Sequence, residues 1–368
     1  MRRGYKWAAF ALAFILFLVL GGESVPLTDR AVVTGIGIDL SEEGYRVSAE
    51  IVMPSDSESK NAGYIIATGE GESLSEALMS LSVAAGRQLS LSHCNAVVLG
   101  FELMRHDAVT ALDYVARNAY LSENAVLVGA EGRAEEVLSS KPAFSETGSF
   151  FLQSALTEYG YYPERTGRNV KDFLIAYNTA SKGNWLSLTR ITETQMGENG
   201  EDSSGSPEYL LSFAETAVFD GEDYVMKLPE RGTRGINYVE SRLEEGSITV
   251  SAEGKTYTAF IENIKTRKSF SKDLTATFKT TAKLVLKETD GDAVSVRPDD
   301  AEPDAGVQHA FSESIAGDIR FAFEETKQYG VDIFGLYEGF YAAEGKNFKP
   351  GNYLDGAKLK IEVELDFV

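Results

Sequence analysis

The sequence predicts a mixed α+β fold: two to three small domains, each a β-sheet with packed helices, behind an N-terminal signal or anchor helix. Three observations predict it. At 368 residues the chain is longer than the roughly 250–300 residues over which one hydrophobic core keeps growing, so more than one domain is expected. Short runs rich in β-branched residues alternate with stretches whose apolar residues return every three or four positions, the marks of strands and amphipathic helices. Residues 8–20 are thirteen apolar residues in a row, close behind a basic start.

That start comprises Arg2, Arg3 and Lys6, and Gly21, Gly22, Glu23 and Ser24 return the chain to small and polar residues. A basic flank, an apolar stretch of about 7–15 residues and small residues behind it describe a secretory signal. The run is shorter than the roughly 20 residues of a comfortable transmembrane helix. Trp7 and the two glycines extend it enough for a retained signal-anchor, whose basic flank favours the cytoplasmic side. Residues 1–23 are therefore expected to be a signal peptide or membrane anchor, with the rest of the chain outside the cytoplasmic membrane.

Residues 24–195 read as a first α/β domain. RAVVTGIGID (30–39) and GYRVSAEIVM (44–53) are β-rich and joined by Ser-Glu-Glu-Gly, a hairpin signature. Residues 62–68 make a short strand. Ser73 and Glu76 form a capping box, and Leu74, Ala77, Leu78, Leu81 and Ala85 recur at helical spacing, which predicts a helix over 73–89. NAVVLG (95–100) and AVLVGA (125–130) read as buried strands. Between them Ala108, Leu112, Val115 and Ala119 mark a helix; another covers 133–139 and is stopped by Pro142. Further helical stretches fall near 147–159 and 169–178, and this alternation suggests α/β layers.

MGENGEDSSGSP (196–207) is nearly devoid of apolar residues and reads as an inter-domain linker. It opens a second α/β region, 208–368, with a possible subdomain split near 250–270. Asp220-Gly221 joins strands at 210–219 and 224–228, and Glu253-Gly254 joins SITVSA to KTYTAFIENI, both as hairpins. A longer strand covers 275–288, and DDAEPDAG (299–306) is an acidic loop. Phe311, Ile315, Ile319 and Phe323 step by four through a helix over 307–329 that ends at Gly330. In the last strand Leu359, Ile361, Val363, Leu365 and Phe367 alternate with Lys and acidic residues, one buried face against one wet face.

Composition excludes more than it assigns. The chain carries 35 Lys+Arg against 56 Asp+Glu, a net charge of −21. Residues 1–22 hold three of the basic residues and no acid, so the remainder stands at 32 against 56, or −24. Phosphate backbones need clustered Lys and Arg, so nucleic acid is not the expected partner. One cysteine and three histidines argue against an intramolecular disulfide, a Cys-rich metal site and a multi-His centre. Gly69-Glu70-Gly71 before a helix lacks the third glycine and lysine of a phosphate cradle and reads as a turn. Gly35 and Gly37 read as bulge or close-packing glycines within a strand. Asp290-Gly291-Asp292 reads as a turn. His93-Cys94 is the one adjacent pair of base and nucleophile, but neighbours at a strand start face opposite sides. Tyr159, Tyr161 and Tyr162 read as half-buried packing, with a ligand surface as the alternative. No catalytic residue, cofactor or metal ligand is singled out.

Several blocks resemble the Ger(x)C family, the C subunits of nutrient germinant receptors in spore-forming Firmicutes. AVVTGIGIDLSEEGYRVSAEIVMP is similar to that family's first hairpin after the signal segment. The stretch 69–103 resembles its core pattern of EAL, GR-L, H and an apolar strand leading to G-x-E-L. LDYVARNAYLSENAVLVGAEGRAEEVLS continues it. ETAVFDGEDYVMKLPERGTRG matches a "TAVF" hairpin followed by an E-x-x-T-R-G turn, here Glu230-Arg231-Gly232-Thr233-Arg234-Gly235. KQYGVDIFGL (327–336) resembles the segment before the last strand.

The resemblance implies a non-enzymatic protein on the outer face of the inner spore membrane, acting with a multi-pass A subunit and a transporter-like B subunit in nutrient sensing. Family members typically carry a lipid on a cysteine just after the apolar run. Gly22 stands where that cysteine is expected, which leaves the N-terminal helix as the tether. The alternative reading is an independent extracytoplasmic solute-binding protein or hydrolase of unknown substrate.

Overall fold

The computed structural model describes residues 30–53, 63–117, 121–140, 147–158, 165–193, 209–241, 243, 245–290, 292–293 and 303–368. Two sheets organise them. β1 (Arg30–Ser41) and β2 (Gly44–Val52) form the hairpin expected from Ser-Glu-Glu-Gly, and β3 (Tyr64–Gly71) adds antiparallel to β2. Gly69 and Gly71 are paired residues of β3, where the sequence suggested a turn. A side chain at Gly69 would overlap the backbone of the following helix, so the glycine lets that helix lie directly on the strand.

This helix, α1 (Leu74–Ala85), starts as the capping box requires. Ser73 Oγ accepts the Glu76 amide at 3.2 Å, and Glu76 reaches back to the Glu72 amide at 3.0 Å. It stops four residues before the expected 89, because Gly86 turns left-handed (φ 63°) and caps it.

β4 (Gln88–Ser90) and β5 (Ala96–Leu99) both run parallel to β1, and β6 (Val126–Ala130) runs parallel to β5. Both β5 and β6 are buried along their whole length, which is why they read as unbroken apolar runs. Helices α2 (Phe101–His106), α3 (Ala108–Arg117) and α6 (Val170–Tyr177) share one core with α1 on one face of this sheet; α4 (Ala134–Ser139) and α5 (Gly148–Gln153) cover the other. Gly35 sits at a register shift in β1, and Gly37 faces Ala134 and Leu138 of α4, so both glycines take the bulge and close-packing roles expected of them.

β7 (Gly183–Glu193), a strand the sequence reading passed over, runs parallel to β6. The expected linker, 196–207, lies outside the described residues. The strands on either side of it are antiparallel partners: β8 (Tyr209–Asp220) pairs with β7, and β9 (Asp223–Leu228) pairs with β8. The nine strands run β3-β2-β1-β5-β6-β7-β8-β9, with β4 beside β1. The chain leaves this sheet only at Pro229.

There it enters α7 (Glu230–Glu240). The E-x-x-T-R-G stretch, expected as a turn, is the first half of this helix. Its glycines suggest a turn locally, but Gly232, Thr233, Gly235 and Ile236 are all buried by tertiary contacts that hold them helical.

The second sheet follows the expected hairpins: β10 (Gly246–Ala252), β11 (Lys255–Phe270), β12 (Thr275–Thr289) and β13 (Asp292–Ala293) pair antiparallel in order. Asp290, left-handed at φ 54°, stands at the turn between the last two, and Gly291 lies outside the described residues. Helix α8 (Ala305–Gln328) starts two residues before the expected 307 because Asp304 Oδ1 caps it, accepting the Val307 amide at 3.0 Å. Gly330 just beyond its end is left-handed (φ 76°). After α9 (Leu336–Glu344) and α10 (Tyr353–Gly356), β14 (Lys358–Phe367) runs parallel to β12. Its apolar residues alternate as expected but are only half-buried, since β12 is its one strand partner among the described residues. Phe367 packs edge-on against Phe311 of α8, 5.9 Å between centroids. No helix of the described residues is long and apolar enough to cross a membrane.

Candidate functional site

The residues singled out as possible chemistry do not converge. His93 is exposed and Cys94 is buried, on opposite sides of the chain. Cys94 Sγ donates to the Ala96 carbonyl at 3.3 Å, and burial pushes its thiol up to about 12, so it stays protonated. Gly22 and the Tyr159, Tyr161 and Tyr162 cluster lie outside the described residues. Asp290 Oδ1 accepts the Thr256 amide at 2.9 Å and serves its turn. Among the described residues no three His, Cys, Asp or Glu side chains come together as a metal site.

What the fold gathers instead is a set of buried carboxylates that position helices. Asp39, at the end of β1, accepts the Ala134 and Glu135 amides at 2.8 and 3.2 Å and caps α4, whose own N-cap Arg133 has no capping side chain. Burial raises its pKa against the opposing pull of those two amides. Glu50, fully buried in β2, accepts the Ser149 amide at 3.2 Å and the Thr34 hydroxyl at 2.6 Å, and is also bonded by the Ser149 hydroxyl. It thereby ties the first turn of α5 to the sheet.

Two further carboxylates sit where the sheets meet. Asp318, mid-way along α8 and 4% exposed, receives Arg231 Nε at 3.1 Å and Arg234 Nε at 2.8 Å from α7. Arg234 also donates to Glu230 at 2.6 Å, and the Arg231 guanidinium lies 4.9 Å from the Phe321 ring. A side chain at Gly235 would overlap the Asp318 carbonyl, so the two helix backbones nearly touch. The opposite side of α7 grips the nine-stranded half. Thr233 and Thr216 hydroxyls are 2.8 Å apart, and Asn237 donates to the Arg165 carbonyl at 2.6 Å.

Asp332 makes the second seam. Its carboxylate accepts the Leu336 and Tyr337 amides and the Tyr353 hydroxyl, each at 2.9 Å, and so caps α9. Burial raises its pKa, and raises that of Tyr353 together with the neighbouring Asp332 charge. Its backbone bridges Lys182 beside β7, and a side chain on Gly183 would overlap its carbonyl. Glu338 of α9 accepts the Ala180 and Ser181 amides at 2.8 and 3.0 Å. Beneath these seams Trp185 and Val218 of the first sheet share one core with Ile236, Phe278, Phe311 and Phe334. Every carboxylate of the set is occupied by protein donors. The arrangement holds bodies together.

Comparison with known families decides what this joint belongs to. Residues 23–192 match the model of the spore germination protein N-terminal domain, and residues 214–367 match the model described as spore germination B3/GerAC like, C-terminal. This chain belongs to the Ger(x)C family of spore germination proteins. No curated protein matches it. Among solved structures it is similar to one titled "Crystal Structure of the GerBC protein", with 13% identity, 91% of this chain and 97% of that chain covered, and a TM-score of 0.46. Two of the blocks that resembled the Ger(x)C family in the sequence, E-R-G-T-R-G and D-I-F-G, are the two seams of the joint. The signal that could have pointed to their partners is faint: Asp318 is a lone acid in the apolar stripe of a long helix.

Proposed function

We propose that this chain is the C subunit of a spore nutrient germinant receptor, a non-catalytic protein on the outer face of the inner spore membrane that assembles with A and B membrane subunits. The observation that carries the reading is the match of two germination-family models, in order, across both halves of the chain. Its work in such a complex is docking and relay. A body whose two sheets meet through α7, α9 and a shared core can pass a displacement of one half to the other, since packed seams move as units.

The family-level division at 24–195, 196–207 and 208–368 belongs to the same proposal and is supported by models that end at 192 and resume at 214. At the level of sheets, β8 and β9 go with the first half. Residues 1–23 serve as tether, unlipidated at Gly22.

Detergent co-purification from spore inner membranes tests the assembly: the chain is expected with two multi-pass partners, and its recovery free of any membrane partner overturns the reading. Deletion of the gene, followed by germinant-by-germinant release assays, is expected to abolish the response to one nutrient class. Mass spectrometry of the native N-terminus is expected to show no diacylglyceryl group.

A further inference from the structure

One end of the five-stranded sheet runs against the charge of the rest of the molecule. The β11–β12 hairpin tip (271–274), the start of β14 and the loop after α9 meet there: the Lys358 amide donates to the Leu274 carbonyl at 2.8 Å, and a side chain at Gly356 would sit 3.1 Å from Leu274. Lys265, Arg267, Lys272, Lys346, Lys349 and Lys358 are all exposed at this end, and none has an ion-pair partner among the described residues. Lys279 and Lys360 lie beside them, bound to Glu364 and Glu362 at 2.6 Å. Counting these eight cations, the carboxylates at the same end are Asp273, Glu344, Asp355, Glu362 and Glu364. Asp273 is occupied by the Ser271 and Thr275 hydroxyls, and Asp355 by the Asn352 amide. The end is thus cationic in a chain whose acids outnumber its bases 56 to 35.

The same end exposes aromatic surface. Tyr341 is 50% exposed, stacks on Tyr337 at 6.5 Å and lies 6.5 Å from Phe348, which leads into Lys349. Lysines on a broad surface beside a tyrosine with an apolar body and polar tip fit the headgroup layer of a bilayer, where charge and shape demands are diffuse. The cations are spread over a hairpin tip, a strand start and a loop, all exposed.

We infer that this end of the second sheet rests on an anionic lipid surface, turning the acidic remainder of the molecule away from the bilayer. The inference rests on the membrane-side reading above. It adds which surface faces the lipid and which charge the lipid carries.

The full chain in nanodiscs tests it, with lysine acylation rates read by mass spectrometry. One set of discs is phosphatidylcholine alone; the other is equal parts phosphatidylcholine and phosphatidylglycerol. Lys272, Lys346, Lys349 and Lys358 are expected to react about fivefold more slowly on the anionic discs, the scale set by a basic group near an anionic surface. Lys255, at the opposite hairpin of the sheet, is expected to be unchanged. High salt should abolish the difference by shortening the screening length. The triple variant K272E/K349E/K358E should restore the rate at Lys346; these residues are exposed, so the fold is not at stake.

Equal rates on both lipids overturn the inference, as does slowing that salt does not reverse. Slowing that appears only when membrane partners are added, whatever the lipid charge, assigns the surface to an acidic protein and also overturns it. The two lipid comparisons are made with no other protein in the discs, so failed co-purification and failed protection are separate results.

Discussion

Glu50, inside the nine-stranded half, and Asp318, at the joint, are both carboxylates with almost no exposure. Glu50 is held by neutral donors: two hydroxyls and a helix-terminal amide. Asp318 is held by two guanidiniums whose own side chains remain 52% and 25% exposed. The first arrangement has no partner that water can reach and stitches a closed interior. The second joins two helices through charged groups that water can reach. The contact inside one half is closed to water, and the contact between α7 and α8 at the joint is open to it on one side.

Breaking the joint directly should have the largest effect. Gly183→Ala places a methyl group against the Asp332 carbonyl and is expected to cost about 3 kcal/mol, the upper range for overpacking at a rigid contact. Urea denaturation followed separately in each half would show the second half losing its protection first. A uniform loss across both would mean that the halves are one cooperative unit and the contrast is misplaced.

Asp318→Asn comes next, at about 2 kcal/mol, because one oxygen that accepts from a guanidinium becomes an NH2 that cannot accept, and the other bond loses its anionic partner. Glu50→Gln should cost only about 1 kcal/mol, since the Thr34 and Ser149 hydroxyls can rotate to accept from the new amide while the Ser149 amide keeps its acceptor. If Glu50→Gln proves the costlier of the two by thermal denaturation, the contrast between neutral and charged partners is lost.

The smallest effect is a change of slope. Burial raises the Asp39 pKa above the ordinary 3.8. Such a carboxyl favours the folded state while it is protonated, so its contribution is fully present below pH 3.8 and is lost as pH rises through the raised value. Asp39→Asn should therefore narrow the stability difference between pH 4 and pH 7, read from urea midpoints at the two values. A variant whose midpoints track the parent across that interval would assign the pH dependence to Asp332, the other buried carboxylate with a raised pKa.

Elements with local signals were legible. The Ser73–Glu76 capping box, the Ser-Glu-Glu-Gly hairpin and the alternation of β14 each depend on residues within a few positions of one another, and each formed where expected. The acidic clasp partners were not. Ser149 lies 99 residues from Glu50, and Asp318 lies 84 and 87 residues from the two arginines that hold it. In a chain with 56 acids, spacing along the sequence cannot mark these two. The glycine-rich start of α7 misled in the other direction, because its local character suggests a turn and its packing against α8 requires a helix.

The sequence by itself determined the succession of strands and helices, the germination-family resemblance, and the exclusion of disulfide and Cys-rich chemistry, since these rest on periodicity, composition and short motifs. Only the tertiary structure decided that β8 and β9 complete the first sheet, that two family motifs are the seams between halves, and that the spare cations gather at one end. Those facts arise from groups distant in the chain and adjacent in space, where burial sets the cost of an unpaired charge and exposure leaves it free.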